Sequence, residues 1–285
     1  MMILEMGIFY RLLLAHVIGD FMLQSSQLVS KRFSNNKNIR IRANLKHSLL
    51  HTLLSLFFLG QYLINKNIII TIGLVVLLTA CHFIIDLFKS SLTNRKNYKQ
   101  YNILLFCIDQ GLHLISIIFI SLLIEKYYSV SHNAMSLFKS VEAWLNQTVQ
   151  NNTYEHKLFI SIILLIIGLW GVGIFIKLFF DYTHYKFYGQ VSDNNYFEHN
   201  DRYGKKGTEN GGFYIGLLER LFIISVIVLR IPEVIGFVLA TKSIARFKEF
   251  DNDKFVEDFI IGSFISFISA IIIGVIIERL NVIPY

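Results

Sequence analysis

The sequence predicts an all-α, polytopic membrane protein of about eight transmembrane helices, the first four forming a bundle lined by His and Asp side chains. Three observations carry this expectation. The chain of 285 residues is 54% hydrophobic and only 16% charged, against roughly 25% charged residues in a soluble domain; its mean hydropathy is +0.51. The apolar residues form continuous runs of about 20, the length a helix needs to cross the hydrocarbon core, rather than the alternating pattern of a membrane β-barrel. The basic residues collect in alternate connecting loops, which is the asymmetry of the positive-inside rule. The net charge of +7 therefore reads as membrane topology, and nucleic acid is not an expected partner.

Taken in order, span 1 covers about Ile8 to Leu28, and a basic loop follows with Lys31, Arg32, Lys37, Arg40, Arg42 and Lys46. Span 2 runs from about Leu45 to Ile64, a short turn occupies 65–67, and span 3 runs from about Ile68 to Lys89. A second basic loop holds Arg95, Lys96 and Lys99, and span 4 runs from about Ile103 to Ile124. Residues 1–124 are read as the His/Asp bundle. Residues 125–156 are read as an external loop with an amphipathic surface helix between Ala134 and Val149. Residues 157–285 form a C-terminal membrane region. It holds span 5 (about Leu158 to Phe180), a polar Gly- and Asn-rich loop at 181–212, span 6 (Phe213 to Leu229), span 7 (Pro232 to Phe247) and span 8 (Phe259 to Ile277). Spans 6 and 7 also suit a hairpin that enters without fully crossing. The loops after spans 1, 3, 5 and 7 are the basic ones. The N-terminus and C-terminus are then expected outside and the basic loops in the cytoplasm of a bacterial inner (plasma) membrane. Cys81 and Cys107 both lie within apolar runs and read as packing residues. The N-terminus lacks the basic region and small-residue cleavage site of a signal peptide.

The chemistry lies in polar residues set into the first four spans. Span 1 carries His16, Asp20 and Gln24; span 2 His47 and His51; span 3 His82 and Asp86, with Lys89 one turn on; span 4 Asp109 and His113. Each pair is spaced i, i+4, so both members share one helix face. At 1.5 Å per residue the eight His and Asp groups fall roughly 6 to 18 Å below the cytoplasmic surface. They share that level although the four helices run in alternating directions. An isolated charge near mid-bilayer costs about 2.5–3.5 kcal/mol on insertion scales. A divalent cation offsets this by binding imidazole and carboxylate together. Mixed His and Asp ligands suit zinc first, and iron or manganese also. Eight candidate ligands (His16, Asp20, His47, His51, His82, Asp86, Asp109 and His113) exceed one tetrahedral shell. Either two ions sit together, or some groups hold the ligands in place.

A second polar set lies in the C-terminal half. Glu219 and Arg220 fall early in span 6, and Lys242, Ser243 and Arg246 at the end of span 7. Glu257, Asp258 and Ser263 lie near the start of span 8. Arg220, Lys242 and Arg246 are candidates for gripping an anionic headgroup. An internal ion pair with topological anchors is the plainer reading of the same residues. His184 and His199 are expected as solvated loop residues.

The runs AHVIGDFMLQ, KHSLLHTLL, HFIIDLFK and DQGLHL resemble a bacterial family of multi-pass membrane proteins catalogued as a domain of unknown function. GGFYIGLLERLFI, KSIARFKE and GSFISF resemble the C-terminal part of its longer members. More loosely, paired His and Asp in an apolar bundle are similar to the inner-membrane metal-dependent hydrolases.

The expectation is a membrane-embedded enzyme with one or two divalent ions. It would hydrolyse or transfer a group on a membrane lipid or other amphiphilic, phosphate-bearing substrate at the cytoplasmic leaflet. Gln24 and Lys89 are candidates for orienting substrate or stabilising developing negative charge. The alternatives are a divalent-cation or proton-coupled transporter using the same residues, and an anchor or sensor recruiting a cytoplasmic protein through 181–212.

Overall fold

In the computed structural model, residues 4–60, 68–93, 101–128, 154–188, 211–251 and 253–282 are described, and no strand occurs among them. The 134–149 helix, the 65–67 turn, the loop holding Arg95, Lys96 and Lys99, and most of the 181–212 loop with His199 lie outside the described residues. The chain divides into two compact units: Met1–Tyr98 with Leu104–Ile163, and Lys99–Ile103 with Leu164–Tyr285.

In the first unit, α1 (Leu4–Val17) runs into a π turn at Ile18–Met22, closed by the Leu23 amide donating to the Ile18 carbonyl at 3.0 Å. The chain then bends by 94° into the short α2 (Ser26–Arg32). Span 1 is therefore not one straight helix to Leu28, and Gln24 lies in the bend rather than one turn below Asp20. The bend has a local cause. Ser25 leaves the helical region and its hydroxyl accepts from the Leu28 amide, starting a new helix in a new direction. Asn36 does the same for α3 (Lys37–Phe58), accepting from the Asn38 and Ile39 amides. Helices α4 (Ile68–Thr93) and α5 (Asn102–Tyr128) complete the set, and α3 packs against α1, α2 and α4. Helix α6 (Tyr154–Ile166) contributes its first turns. There His156 lies against Tyr10, and Glu155 pairs with Arg11, whose guanidinium also donates to the Phe58 carbonyl at 3.3 Å.

In the second unit, a π turn at Ile167–Gly171 leads into α7 (Val172–Tyr188). Helix α8 (Gly211–Val228) packs along α10 (Asp253–Arg279), and between them lies α9 (Ile235–Ala245) in sequence. Leu169, Ile223, Ile224, Phe267, Ala270 and Ile273 form its core. Gly274 permits the close approach, since a Cβ there would stand 3.0 Å from that of Ile227.

All eight expected spans contain a helix, but they differ in reach. Five helices are long and apolar enough to cross a membrane: Ile68–Thr93, Asn102–Glu125, Tyr154–His184, Gly211–Val228 and Asp253–Arg279. The bent pair ending at Arg32 makes a sixth if counted as one span. The two that fall short do so for visible reasons. Helix α3 begins with Lys37, Arg40, Arg42 and Lys46, and α9 has 11 residues, about 16 Å of helix.

Candidate metal centre

The four pairs meet. Asp20, placed by the π turn of α1, lies at the centre. Its Oδ1 is 3.0 Å from His47 Nε2 and 3.1 Å from His51 Nε2, and its Oδ2 is 3.6 Å from His16 Nε2. On the opposite side Asp86 Oδ2 is 3.3 Å from His82 Nε2 and 3.6 Å from His47 Nε2. His113 Nε2 is 3.5 Å from both Asp86 Oδ1 and Asp109 Oδ1. The rings crowd one another, with centroids 3.9 Å apart for His51 and His82 and 4.1 Å for His82 and His113. All eight side chains are withdrawn from solvent, as the buried faces of α3, α4 and α5 require.

Two features fit a bound cation. The Nε2 atoms of His51, His82 and His113 are buried without a hydrogen-bond partner, although carboxylates lie close by. Ring nitrogens that approach carboxylates without hydrogen-bond geometry are free to direct lone pairs at a shared point. Gly19 supplies the second feature: a Cβ there would lie 2.5 Å from His51 Cε1, so only glycine lets this imidazole seat against α1. The donor atoms form three groups positioned to hold a metal, each within 4.8 Å: Asp20, His47, His51 and His82; His16, His82 and His113; Asp20, Asp109 and His113. The first is a four-donor set of the kind zinc takes. His16 belongs to the second group. Asp86 belongs to none of the three.

Asp86 instead faces a residue that the sequence reading assigned to a loop. Arg32, at the end of α2, turns inward and is buried, with Nη2 2.7 Å from Asp86 Oδ2 and Nε donating to Asn44 Oδ1 at 3.0 Å. The Asn44 amide donates to the Arg40 carbonyl and to Ser90 Oγ, tying α2, α3 and α4 together. Gln24, with its amide oriented to satisfy both atoms, donates to the Asp20 carbonyl at 3.2 Å and accepts from Arg32. Lys89 Nζ is 2.7 Å from Asp109 Oδ2. Gln110 donates to Asp20 Oδ2 at 2.9 Å and to Asp109 Oδ2 at 3.2 Å, joining α1 to α5. Arg32, Asn44, Gln110 and Gly19 are thus the parts of the site that sequence reasoning missed. Asn44 was detectable in retrospect, because it shares the buried face of α3 with His47, Ser48, His51 and Ser55.

The two ends of the centre differ. Toward α2 it is closed by the polar side chains of Arg32, Asn44 and Ser90. Away from α2, a small cavity lined by Ser55, Thr79 and Ser116 lies beside the rings of His16, His51, His82 and His113. Two turns farther, all four helices place a fully buried apolar side chain: Ile8, Leu59, Val75 and Ile120. These stand seven or eight positions from His16, His51, His82 and His113 respectively, roughly 11 Å of helix. Buried polar side chains, Thr71 and Ser121, lie in the same part of the bundle.

The residues expected to grip a headgroup lie in the second unit. Arg220 is buried, with Nη2 donating to the Leu169 carbonyl at 2.6 Å and Nη1 to Ser266 Oγ at 3.3 Å. Lys242 donates to Glu219 at 2.7 Å and stands over the rings of Phe259 and Phe267. Arg246 is half-buried at the end of α9. His184 is not a solvated loop residue: it lies on α7, with Nε2 3.0 Å from Asp258 Oδ1.

The first unit is therefore a helical bundle built around a buried His/Asp centre with the donor set of a metal site. Residues 8–145 match the family described as "Protein of unknown function (DUF3307)". The match spans all four His/Asp-bearing helices and agrees with the resemblance carried by their motifs. No curated protein and no solved structure matches the chain.

Proposed function

We propose that the protein is a membrane-embedded, metal-dependent enzyme that hydrolyses or transfers a group on a lipid or other amphiphilic, phosphate-bearing substrate at the cytoplasmic leaflet. The observation that carries the reading is the gathering of buried His and Asp donors within 4.8 Å of one another, with the Nε2 atoms of His51, His82 and His113 lacking a hydrogen-bond partner. Asp20, His47, His51 and His82 would hold one ion, and His16 and His113 a second, with zinc the best match to the donors. When bound, the metal supplies Lewis acidity and an acidified water. The protein's own groups act around it. Gln110 fixes Asp20 and Asp109 by donating to both, and Lys89 offsets the charge of Asp109. Arg32 neutralises Asp86 and closes the α2 side of the centre, its guanidinium held by Asp86, Asn44 and Gln24.

Atomic absorption on the purified protein tests the reading, beside Asp20→Ala and His82→Ala and an assay for phosphate or headgroup release from phosphatidic acid in detergent micelles. One or two equivalents of metal in the wild type, lost in both variants together with turnover, are expected. Metal-free wild type with full activity overturns the metal, and metal-dependent flux into proteoliposomes without turnover favours the transporter.

A further inference from the structure

We infer that the groove between α2 and α3 is a binding site for the headgroup phosphate of an anionic membrane lipid. The open groove has a volume of about 300 Å³, and its charged wall is Lys31 of α2 with Arg42 and Lys46 of α3. Between Asp20 and Asp86 the sequence contains no acidic residue, and no described carboxylate pairs with these three cations. All three are exposed and line one concavity, while Arg32, next to Lys31, faces inward to Asp86.

The position along α3 identifies the anion as part of a lipid. Starting between Arg42 and Lys46, the same helix presents Leu45, Leu49, Leu53 and Phe57 at successive i, i+4 positions, with exposures rising from 48% through 52% and 66% to 77%. A stripe of large apolar side chains exposed on one face of a helix in a membrane protein faces acyl chains. The point where that stripe meets Arg42 and Lys46 is the headgroup level, where each basic side chain adds about a factor of five in attraction to an anionic surface. Leu28 and Ile39 line the groove beside the cations, giving glycerol and the first methylenes an apolar wall. The phosphate would thus sit against the cations and the chains run along the α3 stripe. This site concerns binding alone and stands independently of the metal centre.

Native mass spectrometry of the full chain in non-ionic detergent tests it, with phosphatidylglycerol as probe and phosphatidylcholine as the zwitterionic comparison. Wild type is expected to retain phosphatidylglycerol over phosphatidylcholine. Lys31→Ala/Arg42→Ala/Lys46→Ala should lose it by on the order of 100-fold. Lys31→Arg/Lys46→Arg should keep it, and so should Lys37→Ala, which lies outside the groove. Each single alanine variant is measured as well, so that poor folding of the triple variant leaves a graded series to read. Inorganic phosphate in large excess should not displace the lipid. Equal retention by the triple or the single variants, equal binding of phosphatidylcholine, or displacement by inorganic phosphate would each overturn the assignment, the last by showing a site for free phosphate.

Discussion

Arg32 Nη2 stands 2.7 Å from Asp86 Oδ2, and both side chains are buried. This pair joins the short helix after the bend to the middle of α4 and closes one end of the histidine cluster. Removing one partner of a buried pair leaves an uncompensated charge, which costs about 3–5 kcal/mol. Arg32→Gln is therefore expected to lower the melting temperature of the detergent-solubilised protein by many degrees, and Arg32→Lys to recover only part of it, since Asn44 loses its Nε donor. An unchanged melt for Arg32→Gln would show that the pair holds nothing together.

Gly19 makes a sharper test of the centre, because it alters no ligand. A methyl group there would meet His51 at 2.5 Å and force the ring aside. Displacing a ligand's support typically weakens metal affinity about 10–100-fold, so Gly19→Ala should show that loss in competition with a chromophoric chelator. Gly111→Ala, on α5 with nothing within 4 Å of the added carbon, should bind as wild type. Equal affinities for both variants would remove His51 from the ligand set.

Metal withdrawal should destabilise the first unit. An ion that binds only the folded state contributes about 4 kcal/mol at a thousandfold excess over its dissociation constant. A chelator should thus lower the melting temperature, and zinc should restore it. His82→Ala should melt at the same temperature with and without chelator. His156→Ala, buried against Tyr10 away from the cluster, should keep the wild-type response.

In the second unit, Arg220 fills a slot made by two glycines: a Cβ at Gly173 would lie 2.9 Å from its Nη2, and one at Gly216 3.0 Å from its Nη1. Its donation to the Leu169 carbonyl satisfies a backbone group in the π turn. Arg220→Leu removes the hydrogen bonds to that carbonyl and to Ser266 Oγ, each from a charged donor and together a cost of a few kcal/mol at most, and a lower melting temperature is expected. Lys242→Met, which breaks the contact with Glu219, should lower it as well. If either variant instead keeps its melt and loses only turnover, that side chain grips substrate rather than holding helices.

The His/Asp pairs were legible in the sequence because they obey local geometry. Residues four apart on an apolar helix share a face, and burying that face buries the pair, whichever helices surround it. The same reasoning located all eight helical segments. It missed Arg32, because a basic residue after an apolar run looks like a topological anchor until the chain's direction is known. It also kept Gln24 on the helix face, because a π turn and a bend leave little trace in hydropathy.

The sequence by itself thus determined the helical membrane class, the helix order and the identity of the histidines and aspartates, all set by short-range periodicity and composition. Only the tertiary structure decided which of them meet. It placed Asp20 at the centre, gave Asp86 to Arg32, set Gln110 between two carboxylates and made Gly19 the seat of an imidazole. Those assignments depend on distances between helices far apart in the chain. Such distances follow from a 94° bend and from side-chain packing, neither of which any single helix encodes.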